Sequence, residues 1–236
     1  MRKDPFTIGD YLHVYNRGNR KMPIVYDEND KWRFLKNLRY FNDGYTPEHI
    51  FRGLSLLRKS NFTKPFEWPK DWPVHNPLVK ILAFCLMPNH FHLLLKEIKK
   101  GGVTKFMKKL GDGFTNYTNL KYEETGRLFQ GSYKSRTVQE VKYIQYLDVY
   151  IQVLNPFEIY PGGIEKALKE FDKAFDFAMG YPFSSLGESF KARNLEIVDR
   201  DILKEMFSDL KTYKKFTYDA LLVRNTREII GRMSID

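Results

Sequence analysis

Apolar and polar residues alternate through YLHVYNRG, residues 11–18, which predicts a strand on which His13, Tyr15 and Arg17 share one face before Gly18 ends it. The pattern then changes period. In DENDKWRFLKNLRYFND the acids come first and Trp32, Leu35, Leu38 and Phe41 follow at intervals of three, the pattern of a helix with its negative end matched to its N-terminal dipole. Residues 43–77 are proline-rich and predict an irregular insertion around a short basic helix near EHIFRGLSLLRKS. Two apolar runs, LVKILAFCLM and HFHLLLKEI, follow as neighbouring strands joined at Pro88-Asn89. After Gly101-Gly102, Val103, Phe106, Met107, Leu110, Phe114, Tyr117 and Leu120 fall at helical spacing, with Lys105, Lys108 and Lys109 on the polar side. GRLFQGSYKSRTV reads as extended and basic. QEVKYIQYLDVYIQVLNP reads as a helix with the stripe Val141, Ile144, Leu147, Ile151 and Leu154, stopped by Pro156. Beyond the PGG at 161 the chain predicts further helices, among them Ile164 to Met179 and Asp201 to Leu210. The order of elements up to about residue 158 suits an antiparallel sheet covered by helices, an α+β layout.

Composition narrows this picture. The chain has 236 residues, 42% apolar and 29% charged, enough for one sizeable core or a domain plus a smaller appendage. A net charge of +10 favours a polyanionic partner. No apolar run approaches the roughly 18 residues of a membrane span, and MRKDPFTIGD lacks a signal peptide's apolar stretch, so a cytoplasmic protein with no membrane partner is expected. The single cysteine, Cys85, sits inside an apolar run and reads as a small buried hydrophobe.

Candidate chemistry begins at CLMPNHFHLLLKE. His90 and His92, one residue apart on a strand, share a face, and they are either paired metal ligands or core histidines that satisfy neighbours. Two neutral imidazoles leave most of an ion's coordination sphere to oxygen, which suits Mg or Mn polarising a phosphate better than a closed zinc site. Tyrosine is the candidate nucleophile, because a phenol attacking a metal-polarised phosphodiester leaves a phosphotyrosine that conserves the energy of the broken bond. Tyr143 and Tyr150 lie on the same flank of the late helix, and position alone does not separate them. Lys105, Lys108, Lys109, Lys134 and Arg136 have the spacing to track a phosphate backbone; Arg17 and His13 reach the same phosphate if their strand borders the histidine strand.

The segments HVYNRG, LAFCLMPNHFHLLL, FMKKLGDGFTNYTN, GRLFQGSYKS, YIQYLDVYIQVLNP and YPFSSLGE, in that order, resemble the REP-associated type of single-tyrosine transposase-like proteins within the HUH nuclease superfamily, from residue 11 to about residue 220. That resemblance implies a ferredoxin-like domain over residues 1–160, with an insertion about 43–77, and a C-terminal helical extension over 161–236. It implies a divalent metal (Mg or Mn) held by His90 and His92. Tyr150 would be the nucleophile on single-stranded or hairpin-forming DNA, leaving a 5′-phosphotyrosine and a free 3′ hydroxyl, with no organic cofactor. Members with such an extension work as single chains, so a monomer is expected.

Two departures qualify the match. The family usually carries an amide metal ligand four residues after the tyrosine; here Asn155 comes five after Tyr150, which a regular helix turns about 140° away. Either a bulge before Pro156 absorbs the extra residue or water replaces that ligand. Ser132 stands where the family often has Arg, leaving Lys134 and Arg136 as the nearby cations. The alternative is a domesticated relative that grips structured DNA or RNA without cutting it.

Overall fold

A computed structural model of the chain describes residues 6–45, 47, 50, 51 and 66–223. The basic helix expected near 48–60 lies almost wholly outside them. Among the described residues, the strands and long helices of the N-terminal part are β1 (Tyr11–Arg17), α1 (Glu28–Phe41), β2 (Val79–Leu86), β3 (His90–Glu97), α2 (Gly102–Tyr122) and β4 (Lys134–Val138). The sheet order is β2-β3-β1-β4 with every neighbouring pair antiparallel. This βαββαβ arrangement is the ferredoxin-like topology, an α+β fold.

One face of the sheet is dry. Leu12, Val14, Phe91, Leu93 and Leu95 meet Phe34 and Leu38 of α1 and Phe106, Leu110 and Phe114 of α2, each buried side chain contributing about 1.5–3 kcal/mol. The start of α1 is fixed by a reciprocal cap in which Asp27 accepts from the Asp30 N–H and Asp30 accepts from the Asp27 N–H. Asp30 also receives Lys121, Tyr117 and Tyr122 from α2, at 2.7, 2.8 and 2.7 Å. Burial raises the Asp30 carboxyl, but these donors and the Tyr26 N–H outweigh it and hold its pKa at about 2. One ionised acid thus bolts the two helices together.

The other face carries α3 (Val141–Val149), a π-helical turn over Tyr150–Leu154 and α4 (Asn155–Glu158). Leu147, Ile151, Leu154 and Phe157 pack there with Ala83, Cys85 and Leu94 of the sheet. Pro156 does not stop this helix, contrary to expectation. A proline deprives the carbonyl four residues back of its donor, and here that carbonyl, on Gln152, accepts instead from the Ser184 hydroxyl at 3.1 Å. The chain therefore stays helical through Asn155, at φ −59 and ψ −49.

The further helices among the described residues are α5 (Gly163–Lys169), α6 (Phe171–Gly180), α7 (Leu186–Ser189), α8 (Ile202–Met206) and α9 (Leu210–Tyr218), followed by a π-helical turn over Asp219–Val223. The single helix expected from Ile164 to Met179 breaks at Glu170 (φ −112, ψ 43), and Ala167 before the break and Phe171 and Phe175 after it enter the same core. The helix expected from Asp201 to Leu210 also divides, because Asp209 leaves helical geometry to accept from the Thr212 N–H and caps a new helix. Phe207 and Tyr213 join the core over the sheet. No helix among the described residues is long and apolar enough to cross a membrane.

Candidate active site

Register decides which side chains meet. On β1 and β3, Tyr15 lies opposite His92 and Arg17 opposite His90; on β1 and β4, His13 lies opposite Arg136 and Tyr15 opposite Lys134. Opposed residues of an antiparallel pair project from the same face. His90, His92, His13, Arg17, Lys134 and Arg136 therefore share the face over which the π turn runs.

His90 stands at the end of the Pro88-Asn89 turn, closed by a 2.8 Å bond from the Met87 N–H to the His90 carbonyl. The Pro88 carbonyl accepts from the Ile24 and Val25 N–H groups, and the Asn89 carbonyl accepts from the Gly18 N–H. Gly18 is required there, because a Cβ would collide with the Met22 carbonyl oxygen. The Asn89 amide then orients the histidine. Its Nδ2 faces the Lys21 carbonyl, which can only accept, so its Oδ1 faces His90 Nδ1 at 2.7 Å and that nitrogen must carry the proton. The lone pair of His90 lies on Nε2.

His92 is fully buried, its ring edge-on to His90 with centroids 5.2 Å apart. Its Nδ1 lies 2.8 Å from Nε2 of His13, and the two rings stack at 24°. Its Nε2 lies 3.4 Å from the Tyr150 hydroxyl, with the tyrosine ring edge-on at 5.0 Å. Burial, then the neighbouring His13, His90 and Arg17, pushes the His92 pKa well below the usual imidazole range; burial, then Arg136, lowers that of His13 to about 3. Both rings are neutral at physiological pH, the form that can ligate a metal.

Tyr150 opens the π turn, and this turn resolves the spacing of Asn155. A π turn closes i to i+5, so the residue five on stacks over the first, as the residue four on does in an α-helix. Both the backbone N–H and the side-chain Nδ2 of Asn155 donate to the Tyr150 carbonyl, the latter at 2.8 Å. Asn155 Oδ1 is buried without a hydrogen-bond partner among the described residues. The imidazoles of His90 and His92 and an unsatisfied amide oxygen fit a hard divalent ion that takes its remaining ligands from water and phosphate. No cluster of three or more His, Cys, Asp or Glu side chains suited to an ion occurs among the described residues.

The π turn is braced from behind by groups that the sequence reading did not single out. Gln152 donates to Asp148 at 2.6 Å and accepts from Ser185 and Ser189, each at 2.8 Å. Ser185 also accepts from the Phe84 N–H of β2 at 2.9 Å. Burial pushes the Asp148 carboxyl up to about 7, and Tyr213, Arg200 and Gln152 offset only part of that. The signal available was polar Asp148 and Gln152 inside an apolar helix, together with the paired serines of YPFSSLGE.

The basic residues divide between layers. Lys134 and Arg136 lie beside the histidines, with Arg17 next to His90. Lys105, Lys108 and Lys109 lie on α2, across the sheet. Lys109 donates to the Asp43 and Tyr45 carbonyls, and Lys108 pairs with Asp112 at 2.6 Å. Lys108 borders a groove of about 630 Å³ between α2 and the 126–133 segment, whose floor includes Asn16 and Phe91. Tyr143, the other candidate nucleophile, is half-buried on α3.

Comparison with known proteins points the same way as the motifs. Residues 74–153 match the family model described as "Transposase IS200 like", about a third of the chain, and that stretch contains both histidines and Tyr150. The resemblance to single-tyrosine transposase-like proteins expected from the motifs is therefore met by a transposase family model over the segment that carries both histidines and Tyr150. Among solved structures, one described as a REP-associated tyrosine transposase bound to a REP hairpin aligns over 83% of this chain and 86% of its own, at 14% identity and a TM-score of 0.44. No curated protein matches.

Proposed function

We propose that this protein is a metal-dependent nuclease and strand transferase for single-stranded, hairpin-forming DNA, with Tyr150 as the nucleophile. The observation that carries the reading is the 3.4 Å approach of the Tyr150 hydroxyl to Nε2 of His92, within one chain and beside His90. The tyrosine and the histidines come from the same chain, which supports action as a monomer.

A divalent ion held by His90, His92 and the Asn155 amide would supply electrophilic polarisation of the scissile phosphate. Arg17, Lys134 and Arg136 hold the backbone on the same face, and Lys105, Lys108 and Lys109 are placed for a more distant part of a folded strand. The Tyr150 oxygen attacks phosphorus, the bond to the 3′ oxygen breaks, the phenol gives up its proton and the departing 3′ oxygen takes one up. The product is a 5′-phosphotyrosine and a free 3′ hydroxyl, and attack by another 3′ hydroxyl reverses the step and joins new ends.

The π turn also bears on the alternative reading as a non-cutting binder. The five-residue spacing of Asn155 is not a sign of decay if the wider turn restores its position. A labelled hairpin oligonucleotide incubated with Mn²⁺ tests the proposal. A denaturation-resistant adduct is expected from the wild type and not from Tyr150→Phe; oligonucleotide binding without adduct under any ion condition selects the binder.

A further inference from the structure

His13 lies beside the catalytic pair and the mechanism leaves it unused. It is 4% exposed, its ring stacks on His92, and its Nε2 meets His92 Nδ1 at 2.8 Å. We infer that His13 is a positioning residue, which accepts a hydrogen bond from His92 Nδ1–H and thereby keeps the His92 Nε2 lone pair turned towards Tyr150 and the ion. The inference rests on the proposed metal role of His92.

The case is one of symmetry between two histidines. For His90 the proton is fixed on Nδ1 by Asn89, whose amide is itself oriented by the Lys21 carbonyl. His92 has the same need, since an imidazole that ligates through Nε2 must carry its proton on Nδ1. His13 is the group at hydrogen-bond distance from that nitrogen. An isolated imidazole prefers its proton on Nε2, so without an acceptor at Nδ1 the coordinating lone pair of His92 would be blocked. Register makes the acceptor rigid: His13 faces Leu94, the next residue of the same face after His92, across the β1–β3 ladder. His13, buried with its Nε2 on His92 Nδ1, acts through His92.

Two readouts on the 236-residue chain test this without relying on cleavage. In ¹⁵N spectra of the metal-free protein, His92 is expected to show a protonated Nδ1 and an unprotonated Nε2. In His13→Leu the proton is expected to move to Nε2, and in His13→Gln, whose side-chain oxygen can accept, to return to Nδ1. Mn²⁺ affinity should fall about 10–100-fold in His13→Leu and recover in His13→Gln. His13→Gln, which keeps a buried polar partner, serves as the folded comparison. A wild-type His92 unprotonated at Nδ1 overturns the inference. So does unchanged Mn²⁺ affinity in His13→Leu when His92→Ala abolishes binding. A wild-type chain that binds no Mn²⁺, with Nδ1 protonated as expected, overturns the metal reading instead and leaves only the hydrogen bond standing.

Discussion

The two faces of the sheet are built from alternate residues of the same strands, yet they have opposite chemistry. On one, Phe91 sits between Phe34 and Phe129, and the helices above it are joined by Asp30, an acid held ionised by three side-chain donors and two backbone N–H groups. On the other, one residue to either side of Phe91, His90 and His92 lie, the latter held neutral by burial, beneath a helix that departs from α geometry and is braced by Asp148, an acid pushed up to about 7 by burial. The first face spends its polar groups on joining helices. The second spends them on orienting imidazoles and a phenol, which is the expense of a functional site.

Substitutions on the two faces should therefore separate activity from stability. Tyr150→Phe should lower adduct formation by about a thousandfold or more, with a melting temperature near wild type, since the hydroxyl's contact with His92 is long at 3.4 Å. Phe34→Ala on the dry face should do the reverse: a loss of about 3–5 kcal/mol in denaturant unfolding from a residue 1% exposed, with unchanged cleavage per folded molecule. Asp148 provides a pH test. Its native pKa, about 7, lies above its unfolded value, so the native state keeps a proton that the unfolded chain releases, and stability falls as pH rises from about 4 to 7. Asp148→Asn should thus gain roughly 4 kcal/mol at pH 8 relative to its effect at pH 4, read by thermal unfolding at both. The smallest effects concern DNA grip. Lys134→Ala and Arg136→Ala should each lower the salt dependence of oligonucleotide binding by about one ion, whereas Lys109→Ala, on a side chain engaged with the Asp43 carbonyl, should change it less.

Much of this arrangement was legible before any coordinates. Period-two alternation placed His90 and His92 on one face and His13 and Arg17 on one face, because a strand has no other way to direct its side chains. A bulge before Pro156 was one of two alternatives left open by the count of residues between Tyr150 and Asn155, and a π turn is found there. The helix end at Pro156 was misread because a local rule about proline was answered from 28 residues downstream, by Ser184. The basic residues were grouped by sequence proximity, while strand order places α2 across the sheet from β4's inner face. Asn89's control of His90 and the His13–His92 contact depend on register and on side-chain protons, which periodicity does not encode.

The most direct measurement is the identity of the residue that carries DNA. After reaction with a hairpin oligonucleotide and Mn²⁺, the adduct is digested by protease and nuclease and the modified peptide is sequenced by mass spectrometry. A nucleotide linked through its 5′ phosphate to Tyr150 is the predicted result. The same modification on Tyr143 or another side chain, or cleavage that leaves no protein-linked product, would contradict the account.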